Sequence, residues 1–322
     1  MDAVPAGRMA LVNWARDVIA QGSQSFATAS RLFAPTTRER TWLIYSWCRM
    51  ADDMTDGQVL GHGAKPGHDA SGAQAALETR TDAALNGEAP QAPAYAALQQ
   101  VVTEVHIPHE FVHDHVDGFA LDAEDWRPKD TDDLLRYCYH VAGAVGCMMA
   151  VIMGVDPKDD DTLDRASDLG LAFQLANIAR DIVPDAIVGR CYLPSNWLRE
   201  YNLTEADIKE PANRHLLAEL AQRLVNMAAH YRASARVGAA RLPLRSRLAV
   251  LGADAIYGAI GEEVARRGRR AWDERVRIGR AKKLALFALA VGKTLAANTK
   301  VVSRDGLWTR PRQSPPAEGL RS

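Results

Sequence analysis

Four aspartates, in two pairs far apart in the chain, carry the strongest chemical signal. Asp52 and Asp56 close a largely apolar run that begins at Thr41, and Asp181 and Asp185 repeat the same four-residue step. That step is one helical turn, so each pair lies on one face of a helix. Tyr45 and Arg49 continue the first stripe, while Gln174 and Asn177 continue the second, with Arg180 beside it. Burying such carboxylates uncompensated costs several kcal/mol each by order of magnitude, so they require a cation. Mg²⁺ fits this need, because it takes one or two carboxylates and completes its octahedron with water and phosphate oxygens. The substrate implied is a diphosphate. Calcium loops place ligands at alternating positions around a glycine turn, a pattern absent here, and zinc prefers His or Cys.

A second signal points elsewhere. His109-Glu110-Phe111-Val112-His113 is a literal H-E-x-x-H, the arrangement of zinc peptidases. The glycine and third histidine of the longer protease pattern do not follow, and a histidine-rich surface helix accounts for the segment. The Gly61-x-Gly63 pair follows no strand and so is no dinucleotide fingerprint.

The elements that must position these groups read as helices. Apolar spacing at i, i+3, i+4 recurs, period-two alternation does not, and prolines stand where helices start or stop. The chain of 322 residues is 47% hydrophobic with a formal net charge of -1, enough for a large core and without the basic field of a nucleic-acid binder. The four cysteines show no C-x-x-C spacing, and the N-terminus has no apolar signal region, which together predict reduced thiols and a cytoplasmic protein.

Thr36-Thr37-Arg38-Glu39 reads as a capping box opening the first acidic helix. Pro184 predicts a kink or helix end near Asp185. Tyr139, Gly143, Gly146 and Ala150 fall on one stripe whose small residues admit either a neighbouring helix or a lipid-like ligand. The apolar run 284–292, flanked by lysines, is too short to span a bilayer but suited to lie at its interface, so peripheral membrane association is expected. Residues 1–302 read as one domain and residues 303–322 as a disordered tail.

The ordered motifs Gly22–Phe26, Tyr45–Asp56, Tyr137–Gly146, Gln174–Asp185 and Gly189–Pro194 resemble the squalene/phytoene synthase family, most closely its bacterial phytoene-forming branch. The resemblance implies an all-α, single-domain isoprenoid-synthase bundle with a central cavity. Its members join two allylic diphosphates head to head through a cyclopropylcarbinyl diphosphate. Carried over, Asp52, Asp56, Asn177, Asp181 and Asp185 hold Mg²⁺, with Mn²⁺ as a substitute, and Arg49, Gln174 and Arg180 hold or orient diphosphate. Ser23, Phe26, Tyr45, Tyr139 and Tyr257 match substrate-pocket positions, and Arg275 supplies a further basic group. The expected reaction converts two geranylgeranyl diphosphates to 15-cis-phytoene without NADPH. A squalene or dehydrosqualene synthase using farnesyl diphosphate, and a silent prenyl-diphosphate binder, are the alternatives. Expected partners are the lipid substrate, a membrane surface and neighbouring carotenoid-pathway enzymes, with no nucleic acid.

Overall fold

The computed structural model describes residues 3–56, 69–295 and 302–312, apart from the side chains of residues 24, 25, 56 and 293–295. The glycine-rich stretch 57–67 and the tail beyond residue 312 lie outside the described residues. No strand occurs among those described. The helices run in the order α1 (Arg8–Gly22), α2 (Gln24–Ser30), α3 (Pro35–Asp56), α4 (Ala70–Leu85), α5 (Pro93–Val105), α6 (His109–Ala123) and α7 (Thr131–Cys138). A π-helical turn, Tyr139–Gly143, joins α7 directly to α8 (Ala144–Ile152). Then come α9 (Asp160–Ile187), α10 (Ser195–Glu200), α11 (Arg214–Ala239), α12 (Leu244–Arg267) and α13 (Arg280–Leu295).

Local chemistry sets the boundaries. The carboxylates of Asp69, Asp130 and Asp159 each accept the backbone N–H three residues on, satisfying a donor that the first helical turn leaves open. Helix α3 starts at Pro35, one residue before the expected capping box, because proline's fixed φ and missing N–H suit the first helical position. Glu39 turns instead to Arg8 of α1, at 2.6 Å. Helix α9 runs through Pro184 and ends at Ile187, so Asp185 remains helical. Gly189, with φ of 86°, then carries the chain away.

Two apolar cores flank α9 and α8. One gathers Trp47, Tyr95 and Phe111 from α3, α5 and α6, and the other gathers Tyr137, Leu171 and Trp197 from α7, α9 and α10. The segments meet where α8 and the π turn cross α9. A Cβ on Gly170 would stand 2.3 Å from the Ala142 carbonyl oxygen, and one on Gly146 would stand 2.5 Å from that of Ala166. Backbones therefore touch at this crossing, so the small-residue stripe meets a neighbouring helix, while its Gly146 and Ala150 also line an apolar cavity. The continuous helical run Thr131–Ile152 is long and apolar enough to cross a bilayer, yet 61% of its most apolar window is buried within the protein.

The expectation of a disordered tail from residue 303 onward is corrected over residues 303–312. This segment straps across the N-terminal half of α9, where Asp160, Asp164 and Asp168 form an acidic stripe. Arg304 Nε lies 2.8 Å from Asp168 and its Nη1 lies 3.0 Å from Asp164. Arg310 is buried and meets Asp164 at 3.0 Å, with its guanidinium over the Phe111 ring. Low apolarity made the segment read as unfolded, but its arginines neutralise carboxylates that are 4% and 1% exposed at Asp164 and Asp168.

Removing one partner of a buried ion pair leaves an uncompensated charge. Arg304→Ala is expected to lower unfolding free energy by about 3–5 kcal/mol. Arg16→Ala, in an exposed pair with Asp17, should change it by less than about 0.5 kcal/mol. Urea titration of both variants checks this, and equal midpoints would show that the strap holds nothing in place.

Candidate active site

The stripes predicted from sequence face one cavity. Its volume is about 590 Å³, and α3 contributes Tyr45, Arg49 and Asp52 while α9 contributes Gln174, Asn177, Asp181 and Asp185. An adjoining cavity of about 430 Å³ shares Val141, Val145, Gln174 and Asn177 with the first. The second is walled by alanine, glycine, methionine and the rings of Phe26, Phe173 and Tyr257. A polar mouth thus opens into an apolar interior.

At the mouth each acidic stripe carries its own arginine. Arg49 Nη1 donates to Asp52 Oδ2 at 2.6 Å and lies 3.8 Å from Asp53. Arg49 Nε and the Tyr45 hydroxyl are buried and make no hydrogen bond of normal geometry, and the two side chains interact electrostatically with each other. Across the cavity Arg180 Nε donates to both Asp181 oxygens at 3.0 Å. Arg275 reaches the same carboxylate at 3.1 and 2.9 Å. Burial opposes ionisation of Asp181, but these two guanidinium groups outweigh it and hold the carboxyl below its ordinary value. One turn on, burial and the charge of Asp181 push Asp185 up to about 7, against the pull of Arg190, Arg180 and Arg275. Asn177 Nδ2 donates to Gln174 Oε1 at 3.4 Å. Asp56 closes α3, but its side chain lies outside the described residues.

The aromatic positions divide. Phe26 packs on Tyr45 with centroids 5.4 Å apart, and Tyr257 stacks on Phe173 at 4.0 Å. Ser23 lines neither cavity; its Oγ caps α2 by accepting the Phe26 N–H at 3.3 Å and so fixes the helix that presents Phe26. Tyr139 is also absent from both linings, which corrects its expected place in the pocket. It begins the π turn, whose wider winding breaks the regular helical register. The ring is fully buried beside Trp308 of the strap, and its hydroxyl donates to Asp114. Val141 and Val145 face the cavities in its place.

Residues that sequence reasoning left without a role complete the mouth. Asp122 of α6 accepts from Tyr192 at 2.9 Å and from Tyr137 at 3.1 Å, with the two phenol rings stacked at 4.8 Å. Arg190 lines the same cavity. Arg190 stands in the Gly189–Pro194 motif that carries the resemblance, which is its available signal, whereas Asp122 lies outside those motifs. His109 is exposed, while His113 lies 3.5 Å from Asp82, and neither lines a cavity. Asp114, Asp117 and His140 converge within 4.8 Å, but His140 Nδ1 is bonded to the Asp114 carbonyl and Asp114 to Tyr139, a hydrogen-bonded knot between α6 and the π turn.

The chain is similar to proteins with this architecture. A squalene/phytoene synthase profile matches residues 19–282. The 15-cis-phytoene synthase of Pantoea ananas is 45% identical over 305 residues, covering 94% of this chain and 98% of that protein. That of Enterobacter agglomerans is 46% identical over 297 residues, covering 90% and 99%. Among solved structures, a dehydrosqualene synthase in complex with ligand superposes with a TM-score of 0.80 at 23% identity, over 90% of this chain and 98% of that one. Squalene synthase HpnC from Alicyclobacillus acidocaldarius gives 0.72 at 23% identity, over 82% and 97%. By its acidic motifs, its helical architecture and this match over most of its length, the chain belongs to the squalene/phytoene synthase family.

Proposed function

We propose that this protein joins two geranylgeranyl diphosphates head to head to give 15-cis-phytoene and two diphosphates. The near full-length relatives at 45% and 46% identity are 15-cis-phytoene synthases, which supports the product. The observation that carries the chemistry is the meeting of arginines and carboxylates of two helices at the mouth of an apolar cavity.

Two demands follow from the reaction. Departure of diphosphate concentrates negative charge at the mouth, and it leaves an allylic carbocation in the interior. Arg49, Arg180, Arg190 and Arg275 ring the mouth and are placed to bind the departing group. The rings of Phe26, Tyr45, Phe173 and Tyr257 offer faces that attract a cation, and the apolar walls exclude the water that would capture it. The first condensation releases one diphosphate and one proton and yields a cyclopropylcarbinyl diphosphate. Loss of its diphosphate, rearrangement and release of one proton complete the hydrocarbon, with no electrons added.

The donor set fits a divalent cation. Asp52, Asp181 and Asp185, with Asp56 and Asn177 of the same stripes, offer oxygen ligands, and a cation would offset both the burial and the neighbouring Asp181 charge that push Asp185 up. These residues would hold Mg²⁺, which would supply positive charge against the charge developing on the diphosphate.

Asp52→Asn is expected to cut turnover by about a thousandfold while far-UV circular dichroism stays helical, since only charge at the mouth is lost. Near-normal turnover at saturating Mg²⁺ would remove the carboxylates from this role. In the metal-free protein, the raised Asp185 value gives stability that is fully present below its ordinary value of 3.8 and lost as pH rises through about 7. The depressed Asp181 acts in the opposite sense, losing stability only as pH falls below its ordinary range. Between about pH 5 and 8, wild type should therefore lose roughly 2–4 kcal/mol relative to Asp185→Asn, and Mg²⁺ should bind more tightly across the same window. Parallel pH profiles of thermal melting in the two proteins would contradict this. Finally, geranylgeranyl diphosphate with Mg²⁺ should yield the C40 hydrocarbon without NADPH. Chromatography that finds it only after NADPH is added would replace this reading with a reductive synthase.

A further inference from the structure

One wall of the apolar cavity is a crossing of two helical segments that do not interlock. Val141, Ala142 and Gly146 line the cavity from the π turn and α8, and Ala166 and Gly170 line it from α9. Gly170 lies against the Ala142 carbonyl and Gly146 against that of Ala166, so main chain meets main chain where side chains would otherwise mesh. The π turn adds to the weakness, because its wider winding departs from regular helical hydrogen bonding. Gly143, Tyr139 and Ser167 line neither cavity and form the back of the crossing, where a Cβ on Gly143 would stand 2.8 Å from Ser167 Oγ and from the Tyr139 ring. The strap lies on this back. Trp308 sets its ring on Tyr139, with centroids 5.7 Å apart, and its backbone N–H donates to the Tyr231 hydroxyl of α11 at 3.3 Å. Arg304 donates to the Trp308 carbonyl at 3.1 Å while pairing at 2.8 Å with Asp168, the neighbour of Ser167 in α9. The Val302 carbonyl accepts from Arg165 at 3.2 Å, and Arg165 lines the cavity. One segment thus grips both members of the crossing, the π turn through Trp308 and α9 through Arg304 and Val302.

We propose that the strap clamps this crossing shut against water, with Trp308 as a positioning residue for hydrocarbon formation that touches neither cavity. A carbocation in the cavity has two fates. Loss of a proton from a neighbouring carbon turns the C–H electron pair into a double bond, whereas attack by water forms a C–O bond, releases a proton and gives an alcohol. The back of the crossing is polar, since Asp164 and Asp168 stand there with only the arginines of the strap as partners from outside α9 and Ser234. With the strap lifted, those carboxylates draw water to a wall that is one backbone contact thick. The consequence for the product rests on the phytoene reading, whereas the clamp itself does not.

Two measurements on the full-length protein test this. Hydrogen exchange without substrate or metal reads the clamp: in Trp308→Ala the amides of residues 139–150 should exchange at least about tenfold faster than in wild type, with those of α4 and α5 unchanged. Product analysis reads its purpose. With geranylgeranyl diphosphate and Mg²⁺ in oxygen-18 water, Trp308→Ala should raise the ratio of prenyl alcohol to hydrocarbon at least about tenfold, with label in the alcohol. Hydrolysis at phosphorus would instead leave the substrate's own oxygen there. Trp308→Phe, which keeps a ring against Tyr139, should return both readouts toward wild type, and Trp308→Leu should move them in the same direction as alanine but less far. Leu77→Ala is the comparison, because it destabilises the core around α4 without touching the crossing. Unchanged exchange at residues 139–150 would overturn the clamp, as would an equal rise there in Leu77→Ala. Faster exchange with a wild-type product ratio would overturn the role in excluding water. A wild type that forms no C40 hydrocarbon would remove the phytoene reading, and the exchange result alone would then decide the clamp.

Discussion

Negative charge held against an apolar interior is the constraint on which this structure depends. Carboxylates on α3 and α9 face one cavity, and their repulsion and desolvation act to separate them. The protein meets that conflict with rigid helices and fixed arginines. Both cores, the backbone contact between the π turn and α9, and the pairing of Arg180 and Arg275 on Asp181 keep the acidic stripes on one cavity.

Helix α9 shows how far the constraint reaches. Its N-terminal half bears Asp160, Asp164 and Asp168 and its C-terminal half bears Asp181 and Asp185, so one helix carries two clusters of negative charge. The first is neutralised permanently by the strap, with Arg304 and Arg310 supplied by the same chain. The second is neutralised only in part. The difference separates a structural acidic cluster from one prepared for ligands, although the two look alike in composition.

Much of this was legible in the sequence, for identifiable reasons. Four-residue spacing survives folding because a helix is a local structure, so Tyr45, Arg49, Asp52, Gln174, Asn177, Asp181 and Asp185 reached one cavity as their stripes required. Tyr139, given a pocket position by the resemblance and not by spacing, begins a π turn and lines neither cavity. The strap was missed because its stability comes from ion pairs with residues far away in the chain, whereas disorder was judged from its own composition. Asp122 was hidden for a similar reason. Its partners Tyr137 and Tyr192 come from separate segments that only the packing of α6, α7 and the chain after α9 brings together.

The clasp on Asp181 has a consequence for how anions are discriminated. Arg180 and Arg275 are already occupied by a carboxylate, so a bare phosphate entering the mouth must displace one negative partner with another, at little gain. Arg275 holds that carboxylate from a segment far along the chain, so the clasp also ties the stretch after α12 to α9 at the mouth of the cavity. An ion pair thus serves as a joint, fixing how wide the mouth of the cavity stands as well as how its charge is balanced.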